Sequence, residues 1–148
     1  MKKLIFSIFI FIFLFNYNVF ASTPTVVMES SSGRILYQND SNSRHLIASI
    51  TKIMTCIVTL ENIDIDKTVE VGDEVLKMYG TNIYIEVGEK ITIKDLLYGL
   101  MLRSGNDAAI TLAVNVSGNE ADFVRLMNEK AKEIGMANTT FSNPHGLD

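Results

Sequence analysis

Cysteine is nearly absent: Cys56 is the only one in 148 residues. A chain with a single thiol builds no internal disulfide framework. Ile53, Met54, Ile57 and Val58 surround Cys56 in sequence, so the expectation is a buried, inert thiol acting as a small hydrophobe. A basic surplus is also absent. Residues 1–21 contain no Asp or Glu, and residues 22–148 carry 11 basic against 17 acidic side chains. Nucleic-acid binding by charge is excluded, since nothing is left over to neutralise phosphates. Only one long apolar run exists, which excludes a polytopic membrane protein. His45 and His145 lie far apart, in no His-x-x-x-His or Cys-rich spacing. A metal hydrolase therefore has no ligand pattern to rest on, and both histidines read as loop residues. Internal repeats and low-complexity linkers are missing as well. The 127 residues from 22 to 148 allow one domain with a core and leave little room for a second.

What is present begins with an export pattern. Lys2 and Lys3 precede an apolar run from Leu4 to Phe15, broken only by Ser7. Asn16, Tyr17 and Asn18 then lower the hydrophobicity, and Val19 and Ala21 sit at the −3 and −1 positions of a cut after Ala21. This is the layout of a secretory signal peptide over residues 1–21. The run of about 12 residues is short for a spanning helix, which needs about 20. An exported, extracytoplasmic mature chain starting near Ser22 is expected.

Thr25 to Met28 and Ile35 to Tyr37 are β-branched and apolar, with Ser31-Ser32-Gly33 between them, so a β-hairpin is predicted. Ile50, Ile53, Met54, Ile57, Val58 and Leu60 recur at three and four residues, which predicts a helix with a wide buried face. Thr68–Val71 and Asn82–Val87 read as short strands. Thr92, with Asp95 three residues on, caps a helix to Leu102. Asp107–Val116 predicts a buried helix, and Asn119 caps an amphipathic one from Glu120 to Ile134, closed by Gly135. Phe141–Gly146 is a loop. The order is hairpin, then mainly helices: an α+β chain.

Ser49-Ile50-Thr51-Lys52 is a Ser-x-x-Lys tetrad at a predicted helix start. Residues i and i+3 share a helix face, which sets a Ser49 hydroxyl beside the Lys52 ammonium. Exposed N–H groups at that end favour a developing oxyanion. A serine hydroxyl is a weak nucleophile until a base takes its proton, and a lysine can do so when burial depresses its pKa. Taken alone, the tetrad also fits an N-cap serine and a surface lysine. Its apolar setting favours the chemical reading. A second element, Ser104-Gly105-Asn106, falls between two apolar helices. There a hydroxyl can relay a proton, an amide can hold a substrate amide and the lysine, and the glycine permits a tight turn. The same triplet recurs as Ser117-Gly118-Asn119, where a helix stop followed by a cap explains it.

Ala48-Ser49-Ile50-Thr51-Lys52-Ile53-Met54-Thr55, then Leu100 to Ala109 around Ser104-Gly105-Asn106, closely resembles the D-alanyl-D-alanine carboxypeptidases. These are low-molecular-mass penicillin-binding proteins of the serine peptidase type. Phe141 to Asp148 is similar to a further stretch of that family, so the resemblance covers essentially all of residues 22–148. It implies a β-lactamase/transpeptidase-like α+β fold, an antiparallel sheet with an all-helical cluster, incomplete at the C-terminus. It implies Ser49 as acylated nucleophile, Lys52 as proton acceptor, Ser104 as relay and Asn106 as substrate-positioning amide. The substrate would be a peptidoglycan pentapeptide ending in D-Ala-D-Ala, with β-lactams as covalent inhibitors and no metal or cofactor. Class A β-lactamases, a related alternative, carry Asp where Gly105 stands.

Two departures qualify the resemblance. Arg103 replaces a more frequent Pro. The family's Lys-Thr/Ser-Gly strand motif, which recognises the substrate carboxylate, does not occur: no Lys here is followed by Thr-Gly or Ser-Gly. The chain therefore reads as the N-terminal portion of such a domain, weakly active or inactive alone and marginal in folding, because a hairpin without sheet partners leaves an open edge. Peripheral membrane association would come only through sequence beyond Asp148. A non-enzymatic peptidoglycan-binding module is the reading from another class.

Overall fold

The computed structural model describes residues 23–147. The segment read from sequence as a signal peptide, residues 1–21, lies outside them. Among the described residues no helix is long and apolar enough to cross a membrane. The chain divides into two compact units, one reaching to His45 and one from Leu46 onward.

In the first unit, β1 (Thr25–Met28) pairs antiparallel with β2 (Ile35–Asn39). The register runs from Thr25 opposite Asn39 to Val27 opposite Tyr37, with a bulge before Met28. Gly33 turns the chain at φ +71° and donates its N–H to Glu29 O at 2.9 Å. The predicted hairpin is present, with Val26, Val27, Ile35, Leu36 and Tyr37 exposed.

Among its described residues the second unit holds four α-helices, α1 (Thr51–Asn62), α2 (Ile93–Arg103), α3 (Asn106–Ser117) and α4 (Glu120–Glu133). A short ladder joins β3 (Thr68–Glu70) to β4 (Lys90–Thr92), with Val69 opposite Ile91. The helix ends are set as their residues dictate. Thr92 Oγ1 accepts from the Asp95 N–H at 3.1 Å, and Asn119 Oδ1 accepts from the Asp122 N–H at 2.9 Å, each satisfying an orphan first-turn donor. Gly118 ends α3 at φ +85°, a left-handed position that favours glycine.

Helix α3 is the centre of the packing: every residue from Asn106 to Ala113 is buried, as expected for a helix apolar nearly all round. Its small residues let neighbours close on both sides. Ala108, Ala109 and Leu112 pack with Ile93, Leu96, Leu97 and Leu100 of α2, and Cys56 leans on this cluster. On the other side Ala113 packs with Met54 and Val58 of α1 and with Phe123, Met127 and Ala131 of α4. Each large side chain removed from water there contributes about 2 kcal/mol.

Three expectations require correction. Asn82–Val87 is not a strand. Its alternating residues imitate one, but the N–H groups of Ile83, Tyr84 and Ile85 all point to one carboxylate, that of Asp107, instead of to a neighbouring strand. The partner of β3 is Lys90–Thr92, and the irregular stretch before it contains a 3₁₀ turn at Asp73–Lys77. The wide apolar face predicted for α1 is also reversed. Met54 and Val58 are buried, yet Ile50, Ile53 and Leu60 are exposed while Thr51, Lys52, Thr55 and Thr59 are buried. The helix turns its polar side inward because α3 and the loop ending at His145 engage that side. Finally, Ser49 precedes the α-helix: it lies in a 3₁₀ turn, Ala48–Ile50, that leads into α1.

Candidate active site

The turn that carries Ser49 starts from a strained residue. Ala48 has φ +45°, a left-handed conformation that costs a non-glycine residue about 1–2 kcal/mol, and such strain collects where a side chain must be aimed. Neither the 3₁₀ turn nor α1 has a side-chain cap hydrogen bond. Ser49 is therefore not an N-cap, and the bland reading of the tetrad fails on that side. It fails on the other as well, because Lys52 is 3% exposed.

Lys52 Nζ lies 3.4 Å from Ser49 Oγ and donates to the backbone carbonyl of His145 at 2.7 Å. Among the described residues its ammonium has no carboxylate partner. Burial alone pushes its pKa below the ordinary lysine value, since a desolvated ammonium with no counter-charge gives up its proton more readily. Ser104 Oγ donates to Ser49 Oγ at 3.0 Å. Ser104 ends α2 in the left-handed conformation, φ +57°, and this turn swings its hydroxyl back toward Ser49. Three of the four sequence-predicted residues thus converge, with oxygen and nitrogen atoms in one chain: Ser104 Oγ, Ser49 Oγ, Lys52 Nζ.

The fourth, Asn106, is buried just behind. Its Nδ2 donates to Tyr79 O at 2.7 Å and its backbone N–H to Thr81 O at 2.8 Å; no hydrogen bond joins it to Lys52. Asp107 follows, and its carboxylate accepts from Ile83 (3.0 Å), Tyr84 (2.7 Å), Ile85 (3.3 Å) and its own neighbour Ala108 (2.8 Å). The two residues after Gly105 therefore pin the 79–85 segment beside the Ser-Gly-Asn turn. Ile83 sits against Gly99 and Gly105, where an added Cβ would come within 2.6 and 3.1 Å of its side chain. The second triplet, Ser117-Gly118-Asn119, is a helix stop and cap, as its composition indicated.

The part of the site that sequence reasoning missed is the loop from Asn143 to Gly146. Besides the His145 carbonyl on Lys52, Pro144 O accepts from Thr55 Oγ1 at 2.6 Å. Asn143 Oδ1 accepts from the N–H groups of His145 (3.2 Å) and Gly146 (2.6 Å), and Gly146, at φ +79°, lies directly against Ala48. No residue type announces a backbone carbonyl ligand; the Pro-His-Gly run itself was the available signal. Cys56 is half-buried and its thiol is pushed up by desolvation, in keeping with an inert role.

Antiparallel pairs of strands, a helical cluster, and a serine on a short turn beside a lysine on the helix that follows define an α+β piece of the penicillin-binding, transpeptidase-like fold. Comparison supports that class. The structure of the D-alanyl-D-alanine carboxypeptidase DacD from Francisella tularensis superposes with a TM-score of 0.82 at 36% identity, over 86% of this chain and 32% of that one. The carboxypeptidase from Mycobacterium tuberculosis superposes at 0.81 and 33% identity, over 86% and 48%. In sequence, DacF of Bacillus subtilis is 42% identical over 127 residues, 82% of this chain and 33% of the relative. The family profile described as D-alanyl-D-alanine carboxypeptidase matches residues 16–148. The chain belongs to the D-alanyl-D-alanine carboxypeptidase family. It spans about a third of the length of curated relatives such as DacF and, at 34%, DacC from Escherichia coli.

Proposed function

We propose that this chain carries the acylating centre of a serine-type D-Ala-D-Ala carboxypeptidase acting on peptidoglycan pentapeptides. The observation that carries the reading is Lys52: buried, without a counter-charge, and held between Ser49 Oγ and the His145 carbonyl. Lys52 in its neutral form takes the Ser49 proton. Ser49 Oγ attacks the carbonyl carbon of the penultimate D-alanine, and the peptide C–N bond breaks. The leaving D-alanine nitrogen receives a proton passed from Lys52 by way of Ser104 Oγ. Water then cleaves the ester and restores Ser49. Asn106 orients the substrate amide. No step calls for a metal or cofactor. A β-lactam offers an equivalent carbonyl and acylates Ser49 in the same way. We further propose export to the extracytoplasmic space, with residues 1–21 as the leader and residues 22–148 as the N-terminal portion of the catalytic domain.

The test is covalent. Purified protein incubated with a fluorescent penicillin is expected to gain one adduct, slowly, mapped to Ser49 by peptide mass analysis and lost in Ser49→Ala. Binding of peptidoglycan sacculi with no adduct in the wild-type chain after prolonged incubation would overturn the enzyme reading in favour of a non-enzymatic wall-binding module. Rapid turnover of the adduct would point to a β-lactamase-like hydrolase instead.

A further inference from the structure

The geometry points to His145 as a positioning residue for Lys52, acting through a neutral imidazole whose hydrogen is on Nε2. The side chain is 10% exposed. Its Nδ1 accepts the N–H of Leu147 at 3.1 Å. A ring nitrogen that accepts a hydrogen bond carries no hydrogen, so the neutral ring is the Nε2–H tautomer. That hydrogen faces Glu120 of α4, whose Oε1 is 3.8 Å from Nε2. The ring therefore ties Leu147 back onto His145, while Asn143 Oδ1 ties down the N–H groups of His145 and Gly146. Together these bonds close the turn that aims the His145 carbonyl at Lys52 Nζ, 2.7 Å away.

Protonation would undo this arrangement. A hydrogen added at Nδ1 would confront the Leu147 N–H donor to donor, and the turn would have to open. The charged groups that face the ring, among the described residues, are Glu120 from α4 and Lys52 from α1. Glu120 favours the imidazolium but stands outside hydrogen-bond reach, whereas Lys52 opposes it. Burial and the neighbouring lysine both hold the ring below its ordinary pKa, burial more strongly. The neutral, turn-closing form thus persists through neutral pH. Loss of the turn leaves Lys52 without its short acceptor and frees it to swing away from Ser49. This consequence for catalysis rests on the acylation reading above; the ring state and its link to Lys52 do not.

The experiment separates the two. Full-length protein carrying His45→Gln, so that His145 is the one imidazole, is labelled with ¹³C and ¹⁵N and titrated by NMR. The ring nitrogens are expected to show the Nε2–H tautomer at neutral pH, and the Lys52 Cε resonance to shift with the same midpoint as the His145 ring. An Nδ1–H tautomer, or a Lys52 signal indifferent to that midpoint, would overturn the proposal. In parallel, penicillin acylation is followed against pH. A single lysine base gives about a tenfold fall per pH unit below its pKa, and a second required deprotonation makes it about a hundredfold. The wild type is expected to steepen in this way below the His145 midpoint. His145→Asn, whose Oδ1 supplies an acceptor at the Nδ1 position that cannot titrate, is expected to keep a single slope. It is also expected to react at least tenfold faster at neutral pH than His145→Leu. Equal rates for the two variants, or a wild-type rate that rises as the ring protonates, would refute positioning. Absence of any adduct in the wild type would sink the acylation reading alone and leave the NMR result standing.

Discussion

Gly146→Ala puts one methyl group into the tightest contact of the site. Its carbon would lie 2.0 Å from the Ala48 carbonyl oxygen, 2.5 Å from the carbonyl carbon and 3.0 Å from Thr51 Oγ1. Ordinary contact begins near 3.4 Å, so one side must retreat by about 1.4 Å. Ala48 has little freedom to do so, being itself held at φ +45° before the 3₁₀ turn. The 143–146 loop is the side that moves, which stretches the 2.7 Å contact between Lys52 and His145 beyond hydrogen-bond length. Two costs add. Alanine at φ +79° costs about 1–2 kcal/mol, and forcing a group into packed surroundings costs about 1–3 kcal/mol more. A total of about 2–5 kcal/mol lowers the melting temperature by roughly 8–20 °C in a chain of this size. Gly118→Ala is the control: φ is +85°, but nothing lies within 4 Å of the added carbon, so only the conformational cost remains. Thermal melts followed by circular dichroism read both variants, and fluorescent penicillin labelling reads the site. The expected result is a much larger loss of stability for Gly146→Ala, with labelling suppressed well below its melt. Equal melting temperatures for the two variants, with wild-type labelling, would refute the reasoning.

Other outcomes follow from the same geometry. Asp107→Asn removes the charge and keeps one acceptor oxygen, where Oδ2 takes the N–H groups of Ile83, Tyr84 and Ile85 and Oδ1 those of Ile83 and Ala108; stranding a buried donor costs roughly 1–3 kcal/mol. Amide exchange at residues 83–85 should accelerate by a factor of ten or more, and unchanged exchange would contradict the assigned role. Ser104→Gly puts the preferred residue at the left-handed end of α2 while removing the hydroxyl that donates to Ser49. A melting temperature equal to or above wild type is expected together with slower penicillin labelling; a fall in both would show that the hydroxyl serves structure first. The folded His145 ring has its pKa depressed below 6.5, so the unfolded chain binds the extra proton more readily. Stability contributed by the neutral ring is full above the unfolded pKa and is lost as pH falls through the folded one. Urea midpoints measured over that range should decline with falling pH in the wild type and less steeply in His145→Asn.

The helices were legible because their signals are local. The caps Thr92 and Asn119 and the stop at Gly118 each act within four residues, and α2, α3 and α4 begin and end close to where those residues place them. The hairpin was legible for the same reason. Asn82–Val87 misled because its alternation is real: Ile83 and Ile85 do point inward, toward the α2 and α3 cluster. A carboxylate 22 to 24 positions away supplies the acceptors that a strand would have provided, and no local pattern encodes that. The reversed face of α1 escaped for a related reason. Burying Lys52, Thr55 and Thr59 contradicts hydropathy and is compensated in part by carbonyls of residues 144 and 145. In the site, Ser49, Lys52 and Ser104 were legible as side chains with chemistry. The His145 carbonyl was not, because every residue has one.

The hydrogen bond between Lys52 and His145 joins positions 93 residues apart. Ser49 and Lys52 leave the ribosome within moments of each other, but a chain grows from its N-terminus. Until residues 144–146 have followed, nothing covers the lysine from that side, and a solvated ammonium near its usual pKa of about 10.4 is a poor base. The order of synthesis thereby becomes the order in which the surroundings of Lys52 are assembled. A growing chain exposes Ser49 and Lys52 early, and the burial that depresses the Lys52 pKa is complete only once the Pro144-His145-Gly146 turn has followed.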